Sequence, residues 1–189
     1  MTPSMTRWQG KWALVTGASA GIGVELARQL AAGGANRVLT ARRADRLEKL
    51  AAELAQRHNI QVEICPADLT RREAPEELLA FTRQKGLFIE VLINNAGFGA
   101  YGPFYQRDTR LLLDMVQVNV AAVVHLTRLF VPAMVERRSG YVMIVASTAA
   151  FQPGPLMANY YASKAFVLSF SEALWEEARG TGLHVSCLC

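Results

Sequence analysis

Short apolar runs alternate with longer amphipathic stretches along the whole chain, and that alternation leaves few folds open. Residues 12–16 form an apolar run that stops at glycines, the mark of a strand covered on both faces. Residues 21–32 read as a helix with Ile22, Leu26 and Leu30 on one face, closed by Gly33 and Gly34. Further strands are expected at 37–41, 61–65, 89–93, 141–146 and 183–188, and helices at 44–58, 73–84 and 159–179. Leu47, Leu50 and Leu54 take helical spacing in the second helix, and Pro75 is tolerated in the first turn of the third. One long helix is expected from about 108 to 136, with Pro132 bending it late. Strand–helix units with short loops build a parallel sheet covered by helices on both faces. The expectation is an α/β fold, a doubly wound parallel sheet of six strands. An N-terminal tail, 1–10, precedes a single domain over 11–189.

Composition narrows the functional classes. The chain has 189 residues, 51% of them hydrophobic, which suits one well-filled core. Sixteen arginines and four lysines leave a net charge of +4, but the basic pairs are scattered and no aromatics alternate with them. That pattern argues against nucleic acid and suits an anionic small molecule. Cys65, Cys187 and Cys189 lack zinc-ligand spacing, so buried thiols in a reducing compartment and no metal site are expected. The polar start argues against a signal peptide, and no run approaches the eighteen or so apolar residues of a membrane helix. A cytoplasmic protein with no membrane partner is the expectation.

In a doubly wound, Rossmann-like sheet, ligands bind beyond the carboxyl ends of the strands where strand order reverses. The first strand delivers Thr16-Gly17-Ala18-Ser19-Ala20-Gly21-Ile22-Gly23 there. Gly17 permits the turn, Gly21 lets backbone approach a pyrophosphate, and Gly23 lets the helix pack closely on the sheet. Exposed N–H groups at the helix start favour phosphate. The spacing is Gly-x3-Gly-x-Gly rather than Gly-x-Gly-x2-Gly, and its place between a buried strand and a helix gives it weight.

An enzyme that selects NAD commonly carries an acid at the end of the second strand. Here Ala41 is followed by Arg42 and Arg43, and a guanidinium can pair with a 2′-phosphate. NADP(H) is expected, with NAD(H) less favoured and Arg42 the stronger candidate because it comes first. Asp68, after the third strand, either accepts a hydrogen bond from adenine or caps the turn ahead of Thr70. Asn94, Asn95, Ala96 and Gly97 end the fourth strand, where asparagine side chains tie strands together or face the adenosine ribose.

Residues four apart share a helix face, so Tyr160 and Lys164 stand together. A free tyrosine, with a pKa near ~10, is a poor acid–base group at neutral pH. A neighbouring ammonium favours the phenolate, which makes the pair useful. Ser147, at the end of the fifth strand, can hydrogen-bond a substrate oxygen as charge develops on it.

The glycine turn, Asp68, Asn94-Asn95-Ala96-Gly97, Asn119, Ser147 and Tyr160-x3-Lys164 come in one order with characteristic separations. On these the chain resembles the short-chain dehydrogenase/reductases, from Lys11 to Cys189. The resemblance implies Tyr160 as catalytic acid/base, Ser147 as carbonyl-orienting donor and Lys164 as pKa modulator and ribose ligand. It also implies that Asn119 fixes a water-linked proton relay; from the residues alone Asn119 is a mid-helix polar residue with a local kink. Gly17, Ser19, Gly21, Ile22, Gly23, Arg42, Asp68, Asn95, Ala96 and Gly97 are the expected cofactor residues, with Tyr160 and Lys164. Tyr161 points away from its neighbour and reads as packing.

Family members usually continue past the sixth strand with a substrate-covering segment and a seventh strand. The expected activity is hydride transfer between a nicotinamide and a small-molecule carbonyl or alcohol. The alternative is an NADP(H)-binding protein of the same fold with little turnover. Phe98, Tyr101, Phe104, Phe151 and Met157 are candidates for an apolar substrate pocket, and a homo-oligomer, dimer or tetramer, is the resemblance-based expectation.

Overall fold

The computed structural model describes residues 8–189. Six parallel strands form its sheet: β1 (Trp12–Thr16), β2 (Asn36–Thr40), β3 (Val62–Ile64), β4 (Ile89–Asn94), β5 (Gly140–Val145) and β6 (Leu183–Leu188). They lie in the order β3-β2-β1-β4-β5-β6, so the chain winds outward one way from β1 and then the other way from β4. The register sets Thr16 beside Thr40 and Val15 beside Ile93, which brings the carboxyl ends of β2, β1 and β4 to one level. A crevice opens where the winding reverses.

Alternate residues of each strand feed two cores. Ala13, Val15, Leu39, Val91 and Ile93 face α1 (Ile22–Ala32) and α2 (Ala44–His58), which contribute Ala27, Ala31, Leu47, Leu50 and Leu54. Leu14, Val38, Leu92, Val142 and Ile144 face the other way, toward α3 (Ala74–Gln84), α5 (Ala122–Glu136) and α6 (Ala158–Glu177). Helix α4 (Thr109–Val116) leads into α5.

The expected helices and strands are present with their ends moved by a residue or two, and several details differ. In α1 the residues against the sheet are Gly23, Ala27 and Ala31, whereas Ile22 is 54% exposed. Small residues let this helix lie close on the sheet, so its larger apolar side chains sit to the flank. The expected single helix from about 108 to 136 contains a π-helical turn at Gln117–Ala121, while Pro132 lies inside α5. Against expectation, the stretch Thr109–Glu136 is by length and composition long and apolar enough to cross a membrane. Here Met115, Val118, Leu126, Phe130 and Met134 are buried within the protein.

The thiols are less buried than expected: Cys65 and Cys187 are half-buried and Cys189 is exposed, all three free. Trp8, assigned by sequence to the tail, packs edge-on against Tyr141 at 4.7 Å, so the ordered domain begins before Lys11. Residues 1–7 of that tail lie outside the described residues.

Arg37 is the largest departure from the pattern. It is fully buried in β2 and donates to three backbone carbonyls, those of Ala27, Ala35 and Asn36, at 2.8–3.1 Å. Burial pulls its guanidinium down to about 9. A planar fork that reaches several carbonyls at once explains why an arginine is tolerated there.

Candidate active site

The turn between β1 and α1 owes its shape to crowding on one side and open space on the other. Gly17 has φ 67°, and a Cβ on it would meet Asn95 Nδ2 at 2.8 Å and Ala96 Cα at 2.9 Å. A Cβ on Gly23 would lie 2.5 Å from the Gly17 carbonyl oxygen. Gly21, at φ 57°, has nothing within 4 Å of its Cβ position. Helix α1 starts there without a side-chain cap, so its first N–H groups are suited to an anion.

The end of β4 is lashed to this turn. The buried Thr16 hydroxyl donates to the Ile93 carbonyl at 3.2 Å and accepts from the Asn95 and Ala96 amides at 3.0 Å. Asn95 Nδ2 donates to the Thr16 carbonyl at 2.8 Å. Of the two roles open to Asn95, tying strands together is the one its side chain performs here. Asn94 likewise donates to Thr127 Oγ1 at 3.0 Å.

A cleft of about 690 Å³ spans the crevice. One end is walled by Gly17, Ser19 and Ile22 of the glycine turn, Arg42 and Arg43 after β2, and Asp68 after β3. Arg43 reaches across to donate to Ser19 Oγ from Nε and Nη2, at 3.3 and 3.0 Å. Sequence reasoning preferred Arg42, which also lines the cleft; the contact made by Arg43 depends on where the loop folds back. Asp68 Oδ1 accepts from the Thr70 amide and hydroxyl, both at 3.0 Å, so it caps the turn as well as lining the cleft. An open glycine turn, an uncapped helix start and two guanidinium groups fit a phosphorylated dinucleotide, so the residues present match the group the fold implies.

Asn95, Ala96 and Gly97 also line the cleft, and Phe98, Tyr101, Met157, Tyr160 and Lys164 line its other end. Tyr160 and Lys164 stand one turn apart on α6, with the ammonium 5.8 Å from the ring centroid. Lys164 is 5% exposed and donates to the Val145 carbonyl at 2.7 Å. Burial holds its ammonium below the usual lysine value. Of the apolar candidates, Phe98, Tyr101 and Met157 line the cleft, whereas Phe104 and Phe151 are exposed outside its lining.

Of the expected site residues, Gly21, Gly23, Ser147 and Asn119 are not among those that line the cleft. Ser147 Oγ accepts from the Ala149 amide at 3.1 Å and caps the short turn Thr148–Phe151. Asn119 sits buried in the π-helical turn. Its Oδ1 accepts from Phe98 N at 3.0 Å, and its Nδ2 donates to Phe98 O at 2.9 Å and to Ser163 Oγ at 3.0 Å. Ser163 passes the connection on to the Tyr160 carbonyl at 2.7 Å. The Asn119 side chain thus braces the turn after β4 against the stretch of α6 that carries Tyr160 and Lys164, and Ser163 is the member of that brace the sequence did not reveal.

A doubly wound sheet with its cleft at the reversal of strand order defines a Rossmann-like α/β domain. More narrowly, the chain belongs to the short-chain dehydrogenase family, whose sequence profile (short chain dehydrogenase) matches residues 11–189. It is 35% identical over 184 residues to a very-long-chain 3-oxoacyl-CoA reductase of Phaeosphaeria nodorum, covering 95% of this chain and 54% of that protein. A reductase of the same description from Bos taurus is 35% identical over 182 residues, covering 94% and 58%. Among solved structures, a short-chain dehydrogenase from Sphingobium yanoikuyae in complex with NADPH superposes with a TM-score of 0.88 at 34% identity. The match covers 94% of this chain and 69% of that one. The chain therefore spans little more than half the length of the two reductases.

Proposed function

We propose that this chain is the catalytic domain of an NADP(H)-dependent oxidoreductase that interconverts a carbonyl and an alcohol, with Tyr160 as general acid/base. The observation that carries the proposal is that Tyr160 and Lys164, one turn apart, share a single cleft with the glycine turn. The NADPH bound in the Sphingobium yanoikuyae relative supports the choice of nucleotide. When bound, the cofactor supplies or accepts the hydride. In the reductive direction the Tyr160 hydroxyl gives its proton to the substrate oxygen, and the Lys164 ammonium steadies the charge left on the phenolic oxygen. Ser147 donates a hydrogen bond to the substrate oxygen, and Asn119 with Ser163 fixes the helix turn that carries Tyr160. Arg42, Arg43 and Ser19 take the 2′-phosphate, and Asp68 lies at the adenine end.

Phe98, Tyr101 and Met157 favour a carbonyl with an apolar body. Since similar proteins are 3-oxoacyl-CoA reductases, a 3-oxoacyl thioester is the first substrate to test, beside bulky ketones. The test is single-turnover oxidation of bound NADPH against that panel. Carbonyl-dependent loss of NADPH absorbance is expected. Tight NADPH binding without oxidation by any carbonyl would select the alternative, a nucleotide-binding protein with little turnover.

A further inference from the structure

Between the turn after Ser147 and the start of α6 the chain runs through Gln152-Pro153-Gly154-Pro155-Leu156-Met157, a stretch that delivers Met157 to the cleft. Two contacts hold it. The Gly102 amide, in the loop after β4, donates to the Leu156 carbonyl at 2.7 Å. Leu156 itself sits at φ 66°, a left-handed conformation that a leucine adopts only when its surroundings impose it. At the second contact, buried Gly154 lies on the face of Tyr161: a Cβ there would come within 2.3–2.4 Å of three ring atoms. Gly154 is not among the positive-φ residues, so space rather than backbone conformation excludes a side chain. The same ring stands edge-on to Tyr160 at 6.2 Å and 77°.

We infer that Tyr161 is a positioning residue. Its ring, seated on Gly154 and edge-on to Tyr160, fixes the 152–157 stretch relative to the catalytic tyrosine and presets the substrate wall. The inference rests on the oxidoreductase reading above. The ring has this role and the phenolic oxygen does not, because the contacts with Gly154 and Tyr160 are ring contacts. The wall is a through-space assembly: the loop after β4 holds Leu156, Tyr161 holds Gly154, and Met157 follows from both. Gly99 completes it, since a Cβ there would lie 3.1 Å from both Met157 Cε and Tyr160 Cδ2.

The test is a cycle of size exchange. Gly154→Ala drives a methyl into the ring, and Tyr161→Ala leaves the loop without its seat. Each should lower carbonyl turnover about 10- to 100-fold, the scale expected when a reacting group is displaced by about 1 Å. NADPH dissociation should stay within about twofold, because the glycine turn is untouched. Tyr161→Phe should keep wild-type turnover. The double variant Gly154→Ala/Tyr161→Ala should lose no more than Tyr161→Ala alone, since the methyl enters room the ring has vacated. Hydrogen exchange supplies a readout that needs no chemistry. The Gly102 and Met157 amides, bonded to the Leu156 and Gly154 carbonyls, should exchange faster in each single alanine variant, and no faster in the double than in Tyr161→Ala. Strictly additive losses, wild-type turnover in Tyr161→Ala, or unchanged exchange would overturn the inference. A wild-type protein that reduces no carbonyl would sink the oxidoreductase reading, while the exchange experiment would still decide the role of Tyr161.

Discussion

At the glycine turn the cleft is held where two paired strands end side by side. The Thr16 hydroxyl and the Asn95 side-chain amide tie the turn after β1 to the turn after β4, across 79 positions of sequence. At the Tyr160 end the contacts join a helix to a loop or to another helix: Asn119 with Phe98 and Ser163, and Tyr161 with Gly154. The first set rests on neighbours that the sheet already fixes. The second has no strand pairing behind it, and either contact can loosen it. Binding of the nucleotide and turnover of the substrate should therefore separate under mutation.

The largest separation is expected from Tyr160→Phe. Turnover should fall by about 10²–10⁴-fold while NADPH affinity, read by fluorescence titration, scarcely moves. Comparable loss of both would mean that the two ends are not independent. Asn119→Ala removes three bonds and leaves the Phe98 amide and carbonyl without their partner. It should destabilise the fold by about 2–3 kcal/mol in urea unfolding, with an unchanged m-value. A loss under about 0.5 kcal/mol would show that solvent satisfies those groups and that the brace is dispensable.

Arg43→Ala tests the nucleotide end alone. The KM for NADPH should rise about tenfold with kcat kept, a loss on the scale of one charge-assisted hydrogen bond, and Arg42→Ala should cost less. A larger effect from Arg42 would reverse the assignment made from the contact between Arg43 and Ser19. The smallest effect is expected from Lys164→Met on stability. Burial lowers the folded-state value of Lys164, so the unfolded chain holds the proton more tightly and the folded state is penalised while both are charged. The variant also leaves the Val145 carbonyl without its donor, so the two effects oppose and Tm at neutral pH should stay within about 3 °C of wild type. Relative to wild type the variant should lose ground as pH climbs from the lowered folded value toward the ordinary 10.5, where the wild-type lysine is neutral in both states.

The same contrast decides how much could be read from the chain. Sheet, helix order and glycine turn follow from periodicity and from residues close in sequence, and the expected elements stand where alternating strand and helix patterns put them. Tyr160 and Lys164 were legible because helical spacing alone brings them together. Arg43 on Ser19 is a contact across 24 positions, set by how the loop after β2 folds back, and Arg42 looked the better candidate without it. Ser163 and Gly154 gave no signal because one is an ordinary helix serine and the other an ordinary loop glycine until their partners arrive. The buried Arg37 ran against the burial rule, and nothing local announced the three carbonyls awaiting it.

The π-helical turn at Gln117–Ala121 makes this helix unequally sensitive to deletion along its length. Such a turn holds one residue more than the α-helical turn it replaces. Deleting one residue from it, other than Asn119, would therefore let it close as a regular α-helical turn with the faces on either side still pointing as they do now. A deletion within the regular part of α5 has no spare residue to absorb it. Everything beyond would be rotated by about 100°, one residue's worth of helix, and Phe130 and Met134 would leave the core. The turn is thus a place where the length of the chain can change by one residue without the core changing partners.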